Sequence, residues 1–341
     1  MSVYYEAPPV DDRAIWDLWL SQHYFPAATA AQEAGIFEAL AKAPMSLEDL
    51  ASKLSLNKKA LGVVMSLIAA LGLAACREGV WRLTPHARTY LLADATYSWS
   101  PLFDVYKNGT PFHGELLALL KTGETTRTDK PSDNWEAGKV PPDAARSIAK
   151  FMHSHSLPAA VAAARSGAFK DVNKFLDVGG GSGVFAIAAA QRNPGLKATI
   201  MDLDTMCDAA QELFVSTSGV EDRVETLAVD MFREDWPTGY DALFFSNIFH
   251  DWDEEINAKL SKKAFDALPS GGRIFLHEIL MNDNEDGPLT PASFSVLMLR
   301  GTKGKQYTLR ELTSFLEGAE FKNVAAIETS PYYSLVSAQK P

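Results

Sequence analysis

Cysteine is almost missing from this chain. Cys76 and Cys207 are the only two in 341 residues, too few for a disulfide framework and consistent with a reducing compartment. Positive charge is also scarce: 32 Lys and Arg face 43 Asp and Glu, a formal net charge of -11, so nucleic acid and anionic membrane surfaces are poor partners. No apolar run is long enough for a bilayer, since the longest, Val63 to Cys76, is interrupted by Ser66 and Gly72. The opening MSVYYEAPPVDDR has neither a basic region nor an apolar core, so no signal peptide is readable and a cytoplasmic protein is expected. What remains is 47% hydrophobic and 22% charged, an ordinary globular composition in a chain long enough for two domains.

The most informative stretch is Lys174 to Asp204, KFLDVGGGSGVFAIAAAQRNPGLKATIMDLD. A short apolar run, a turn through Gly179, Gly181 and Gly183, a helix former and a second apolar run predict strand, tight turn, helix and strand. The second strand ends on Asp202, where a carboxylate can accept both hydroxyls of a ribose. A third glycine of a dinucleotide fingerprint would fall at position 184, which is Val184. Asp177, two places before the first glycine, would repel a diphosphate and suits a cationic ligand. The pattern therefore favours S-adenosylmethionine.

Further along, apolar strands are expected at Val224 to Val229, Ala242 to Ile248 and Arg273 to Ile279, with a closing hairpin of Val324 to Ile327 and Ser334 to Ala338. Helices alternate with them, which predicts an α/β doubly wound sheet of seven strands, mostly parallel with one antiparallel strand. Ligands lie at the carboxyl ends of such strands, which places the glycine turn, Asp202, Asp230 with Met231, His250 and Glu278 along one rim. Asp230 would hold an adenine amino group, and Met231 and Trp252 offer it apolar surface. His250 beside a carboxylate at Glu278 would be a general base with a fixed tautomer, suited to a phenolic hydroxyl. His277 should face the other side of its strand and be structural. Phe103, Phe112, Met152, Phe294 and Met298 fit a flat apolar ligand and fit ordinary core equally well. No metal is expected, because His153 and His155 do not share a helix face.

In the first third, Pro26 is expected to divide Arg13 to Leu40 into two helices. Ser46 should cap a helix to Leu54, Asn57 one to about Leu71, and Val80 to Leu83 reads as a strand, together similar to a winged helix. A DNA-binding regulator is the non-enzyme alternative. Residues 1 to 100 carry 8 basic and 10 acidic side chains, and the second helix is apolar nearly all round, which favours a buried or dimerising face. A mainly helical connection follows, with a polar, proline-dotted stretch from Thr122 to Pro142.

Motif by motif, the chain resembles the caffeic acid and hydroxyindole O-methyltransferase family of class I methyltransferases and its bacterial natural-product relatives. The resemblance rests on LDVGGGSG, HDWDEE from His250, LPSGGR with HEIL, and GKQYTLREL. It implies a Rossmann-like methyltransferase domain at 169–341, a helical linker lining the substrate at 96–168, and a winged-helix dimerisation domain at 1–95 that forms a homodimer. It implies methyl transfer to a hydroxyl of a small aromatic or polyketide-like molecule, leaving S-adenosylhomocysteine. His250 matches the general base and Glu278 its carboxylate. Ser156, Asp177, Gly179, Gly181, Gly183, Asp202, Leu203, Asp230, Met231, Ser246 and Trp252 fall on the cofactor side. Phe103, Met152, Phe294, Leu297 and Met298 fall on the acceptor side. Gln306 stands where plant members carry a second carboxylate, Ser246 replaces a lysine and Asp204 a proline. Some relatives methylate carbon or nitrogen, or catalyse hydroxylation or ring closure with the same cofactor site, and those alternatives stay open.

Overall fold

The computed structural model describes residues 3–126 and 131–341. The chain forms two compact units. One contains the N-terminal residues through Arg13, Ser132–Ile279 and Leu309–Pro341, and the other contains Ala14–Pro131 and Leu280–Thr308. Each unit is therefore assembled from separated pieces of chain, whereas contiguous segments are the expectation from sequence.

The second unit carries a small antiparallel sheet of β1 (Met45–Ser46), β2 (Ala74–Arg77) and β3 (Val80–Leu83), in the order β1-β3-β2. Its capped helices follow the sequence reading. Ser46 accepts the Asp49 N–H ahead of helix Leu47–Leu54, and Asn57 accepts the Ala60 N–H ahead of Lys58–Ala70. Each such cap contributes about 1 kcal/mol. Arg13 to Leu40 differs from expectation: it holds helices Arg13–Leu20 and Tyr24–Glu33 and most of a third, Ile36–Lys42. Pro26 lies in the first turn of the second helix, where its missing N–H costs nothing. The later break comes at Gly35, whose φ of +77° is left-handed. Helix Leu289–Gly301, unread in the sequence, completes the core with Ala292, Val296 and Leu299 packed among Leu61, Val64 and Leu67.

The first unit is a seven-stranded sheet built from β4 (Lys174–Val178), β5 (Lys197–Asp202), β6 (Val224–Ala228), β7 (Ala242–Ser246), β8 (Arg273–Ile279), β9 (Lys322–Glu328) and β10 (Tyr333–Gln339). The order is β6-β5-β4-β7-β8-β10-β9, with β10 antiparallel to both neighbours and the strands from β6 to β8 parallel. The central parallel strands are buried apolar runs, as covered strands must be. Phe169 packs edge-on to Phe175, Phe244 and Phe275 at 5.3, 5.8 and 5.3 Å between ring centres, which ties β4, β7 and β8 together. Each such buried ring contributes about 1.5–3 kcal/mol. The chain leaves β4 in one direction through β5 and β6 and returns on the other side at β7. That reversal opens a crevice at the carboxyl ends of β4 and β7. Within the polar stretch from Thr122 to Pro142 the structure adds a short helix, Pro131–Glu136.

Candidate active site

The crevice begins at the glycine turn after β4. Gly179, Gly181 and Gly183 all have positive φ, at +66, +57 and +72°, which side chains rarely adopt. A Cβ on Gly179 would meet Ile248 Cδ1 at 2.6 Å and one on Gly183 would meet Ile200 Cδ1 at 2.2 Å, but one on Gly181 would meet nothing within 4 Å. Two glycines thus serve packing, and Gly181 faces open space. Its N–H donates to Asp202 Oδ2 at 2.8 Å, while Asp202 Oδ1 accepts the Leu203 N–H at 2.7 Å. Burial raises the Asp202 pKa, opposed by these two N–H groups. Asp177 lies buried beneath the turn. Burial, with the Asp202 charge adding to it and the Ala186 N–H opposing, pushes its pKa up to about 7.

A cavity of about 80 Å³ opens here, lined by Gly179, Gly181, Asp202, Leu203, Asp230, Met231, Trp252 and Met152 of the residues expected from sequence. Most of the rest of its wall is apolar, including Trp135, Ile148, Met206, Val229, Phe232 and Ile248. Trp252 is buried edge-on against Phe232, with ring centres 4.7 Å apart. Asp230 is already engaged: Oδ1 accepts the Phe232 N–H at 2.9 Å and Oδ2 takes Arg233 Nη1 at 2.5 Å. Burial raises its pKa, but Phe232 and Arg233 outweigh burial and hold it below the usual carboxylate range. A carboxylate offers about four lone-pair sites, so capacity for a ligand amino group remains. The donor set fits a nucleoside with an aliphatic cationic arm: one carboxylate pinned at a ribose position, apolar walls for a ring, and an open glycine edge.

Beyond β7 the chain turns through Phe249–Asp251, and His250 is buried in that turn. Its Nδ1 lies 3.3 Å from Glu278 Oε2 and its Nε2 lies 3.8 Å from Asp251 Oδ1. Glu278 Oε1 also accepts the N–H groups of Ile248 and Phe249 at 3.1 and 3.0 Å. One carboxyl group therefore fixes the turn through Oε1 and sets Oε2 within ion-pair range of the imidazole. Burial pushes the Glu278 pKa up to about 8 against the N–H groups of Phe249, Ile248 and His250. Burial, reinforced by the Glu278 charge, also raises Asp251 well above its ordinary range.

Other expected residues sit elsewhere. Gly183 caps helix Val184–Arg192. Ser156 is buried on helix Pro142–Arg165 with its Oγ 3.3 Å from His155 Nδ1. Ser246 Oγ lies 3.2 Å from Nδ1 of His277, whose Nε2 meets Thr329 Oγ1 at 2.9 Å. Burial lowers the His277 pKa to about 3, so it is a neutral structural imidazole. Phe103, Phe294, Leu297, Met298 and Gln306 belong to the second unit, where Phe294 packs on Trp16 at 5.6 Å and the Gln306 N–H donates to Ser295 Oγ at 3.0 Å. Sequence reasoning missed Asn247, Asp251, Met206 and Trp135 on the cavity wall. Asp251 follows the base directly in the HDW run, a legible signal, while Trp135 lies in a polar stretch with no periodicity.

Known proteins resemble this chain along most of its length. An O-methyltransferase domain model matches residues 125–322, and an O-methyltransferase dimerisation domain model matches residues 16–93. A 3-hydroxy-5-methyl-1-naphthoate 3-O-methyltransferase of Streptomyces sahachiroi is 33% identical over 91% of this chain and 88% of its own. An L-tyrosine C(3)-methyltransferase of Streptomyces lavendulae is 26% identical over 84% of this chain and 80% of its own. An O-methyltransferase family 2 protein from Planctomyces limnophilus, solved in complex with apigenin, superposes with a TM-score of 0.87 at 29% identity, covering 100% of both chains.

Proposed function

The chain belongs to the S-adenosylmethionine-dependent O-methyltransferase family, and from that premise we propose that it methylates a hydroxyl of a small aromatic acceptor, with His250 as general base. The observation that carries this reading is the double engagement of Glu278, which holds the turn by two N–H groups and lies 3.3 Å from His250 Nδ1. A carboxylate facing Nδ1 favours the proton on that nitrogen and leaves Nε2 as the basic one.

S-adenosylmethionine supplies an electrophilic methyl group on a sulfonium. Asp202 would hold its ribose hydroxyls, Gly179 and Gly181 would let its amino acid arm lie against the backbone, and Met231 and Trp252 would face its ring, with Asp230 taking the adenine amino group. Leu203 lines the same cavity and Asp177 lies buried beneath the turn; for Gly183, Ser156 and Ser246 we keep the cofactor-side role that the family resemblance implies. His250 takes the acceptor proton, and Glu278 stabilises the imidazolium that results. Proton transfer of this kind contributes about 10²- to 10⁴-fold. Alignment of the reactants contributes more, up to about 7–11 kcal/mol. Met152 lies on the cavity wall and is assigned to the acceptor side. For Phe103, Phe294, Leu297 and Met298 we keep the acceptor-side role that the family resemblance implies, and for Gln306 the catalytic role, in the place of the second carboxylate.

An aromatic acceptor is supported by the substrate named for the Streptomyces sahachiroi relative. The match to a dimerisation domain over residues 16–93 supports a homodimer, which light scattering would test. Two measurements test the central reading: calorimetric titration with S-adenosylhomocysteine, and turnover of a panel of phenols by the wild type and His250→Ala. Binding with turnover lost in the variant is expected. An unchanged rate in His250→Ala would remove general-base catalysis. Transfer to carbon is the second reading, favoured by the tyrosine C-methylating relative, and NMR of the product separates a methoxy from an aryl methyl.

A further inference from the structure

Asn247 is the one residue on the cavity wall that combines a strained backbone with a side-chain amide. It follows β7 directly, with φ of +55°, a left-handed conformation that Gly accepts most readily and Asn and Asp tolerate. Its N–H donates to the carbonyl of His277 at 3.2 Å. The Tyr333 hydroxyl donates to its Oδ1 at 3.1 Å. Among the described residues its Nδ2 has no partner, although the residue is only 3% exposed.

Tyr333 is itself immobilised. Its ring stacks on His277 at 4.7 Å and 3° between planes, and His277 is clamped between Ser246 and Thr329. Burial raises the Tyr333 pKa, with Asn247 opposing and the Glu278 charge adding to it, so the hydroxyl stays protonated and available as a donor. Oδ1 is thereby committed to Tyr333. In a planar amide the nitrogen must then point away from the phenol.

We propose that Asn247 binds ligand, its Nδ2 donating to an oxygen of the bound molecules, and that Tyr333 is the positioning residue that sets the direction of the amide. The chemistry is a neutral N–H donor for either the donor molecule's carboxylate or an acceptor oxygen. The inference rests on the methyltransferase reading. It adds a recognition residue that neither the glycine turn nor the His250 cluster supplies.

Because glycine satisfies the backbone alone, Asn247→Gly separates the amide from the conformation. Asn247→Asp keeps an acceptor for Tyr333 and replaces the donor with a second oxygen. The measurements are the Kd for S-adenosylhomocysteine by calorimetry, and KM and kcat for a phenolic acceptor turned over by the wild type. Asn247→Gly is expected to weaken one of these ligands by about tenfold, and Asn247→Asp by more. A change in the S-adenosylhomocysteine Kd assigns the oxygen to the donor, and a change in acceptor KM with an unchanged Kd assigns it to the acceptor. Tyr333→Phe should move the same constant in the same direction, and combined with Asn247→Gly it should add little. Wild-type constants for both ligands in folded Asn247→Gly and Asn247→Asp would overturn the proposal. Failure of the wild type to bind S-adenosylhomocysteine would instead overturn the methyltransferase reading, and this inference with it.

Discussion

Adding one methyl group to the glycine turn should have opposite consequences two residues apart. At Gly183 an alanine would have φ of +72° and a Cβ 2.2 Å from Cδ1 of Ile200, a fully buried residue of β5. The left-handed backbone costs about 1–2 kcal/mol, and displacing packed core costs about 1–3 kcal/mol, so Gly183→Ala should lose roughly 2–5 kcal/mol. At Gly181 the backbone term is similar, with φ of +57°, but the new Cβ meets nothing within 4 Å. The steric cost there falls on the ligand. Gly181→Ala should therefore lose only about 1–2 kcal/mol of stability while weakening S-adenosylhomocysteine at least tenfold. Denaturant unfolding gives the first quantity and calorimetry the second. Wild-type affinity in Gly181→Ala, or equal stability of the two variants, would refute the division of the turn into a packing part and a ligand part.

The remaining predictions concern charge. Because the Glu278 pKa is raised to about 8, its ionised form, which supports the His250 imidazolium, appears only as pH rises through that value. Log kcat/KM should climb towards pH 8, and Glu278→Gln should lose that limb; an identical profile in the variant would refute the assignment. The stability sign is the reverse. A carboxyl whose folded pKa lies above its unfolded value favours folding below the unfolded pKa and loses that advantage as pH rises through the folded one. Glu278→Gln should thus gain on the wild type by about 1.4 kcal/mol per pH unit between roughly pH 5 and 8, read from unfolding curves. In the second unit, Arg300 donates to Glu115 Oε2 through Nε and Nη2 at 2.9 and 2.8 Å, with both side chains nearly buried. Glu115→Ala strands a buried guanidinium and should cost about 3–5 kcal/mol; a loss under 1 kcal/mol by denaturant unfolding would refute it.

Much of the sheet could be read directly. Strand β8 at Arg273–Ile279 and the capped helices after Ser46 and Asn57 were legible because local chemistry and burial agree there. Helix Leu289–Gly301 was hidden because its first turn contains Thr290 and Pro291, and all but two of its residues are buried, which leaves no polar face to mark a period. Residue proximity across strands was harder. That Glu278 would reach His250 follows from strand ends meeting at one rim, but its two bonds to the backbone of Ile248 and Phe249 follow only from the turn's geometry. Asn247 shows the limit most clearly, since nothing in SNIFHDW announces a left-handed residue or a tyrosine 86 positions away.

The way the chain shuttles between units governs when each can fold. The core around Leu61 and Val64 lacks Ala292, Val296 and Leu299 until helix Leu289–Gly301 has been made. At about 5–20 residues per second of synthesis, those early helices wait on the order of 10–40 s for their last partner, with apolar surface uncovered throughout. A ribosome stalled after β8 would hold a nascent chain whose amino-terminal half is still open, and that half is where a chaperone should bind.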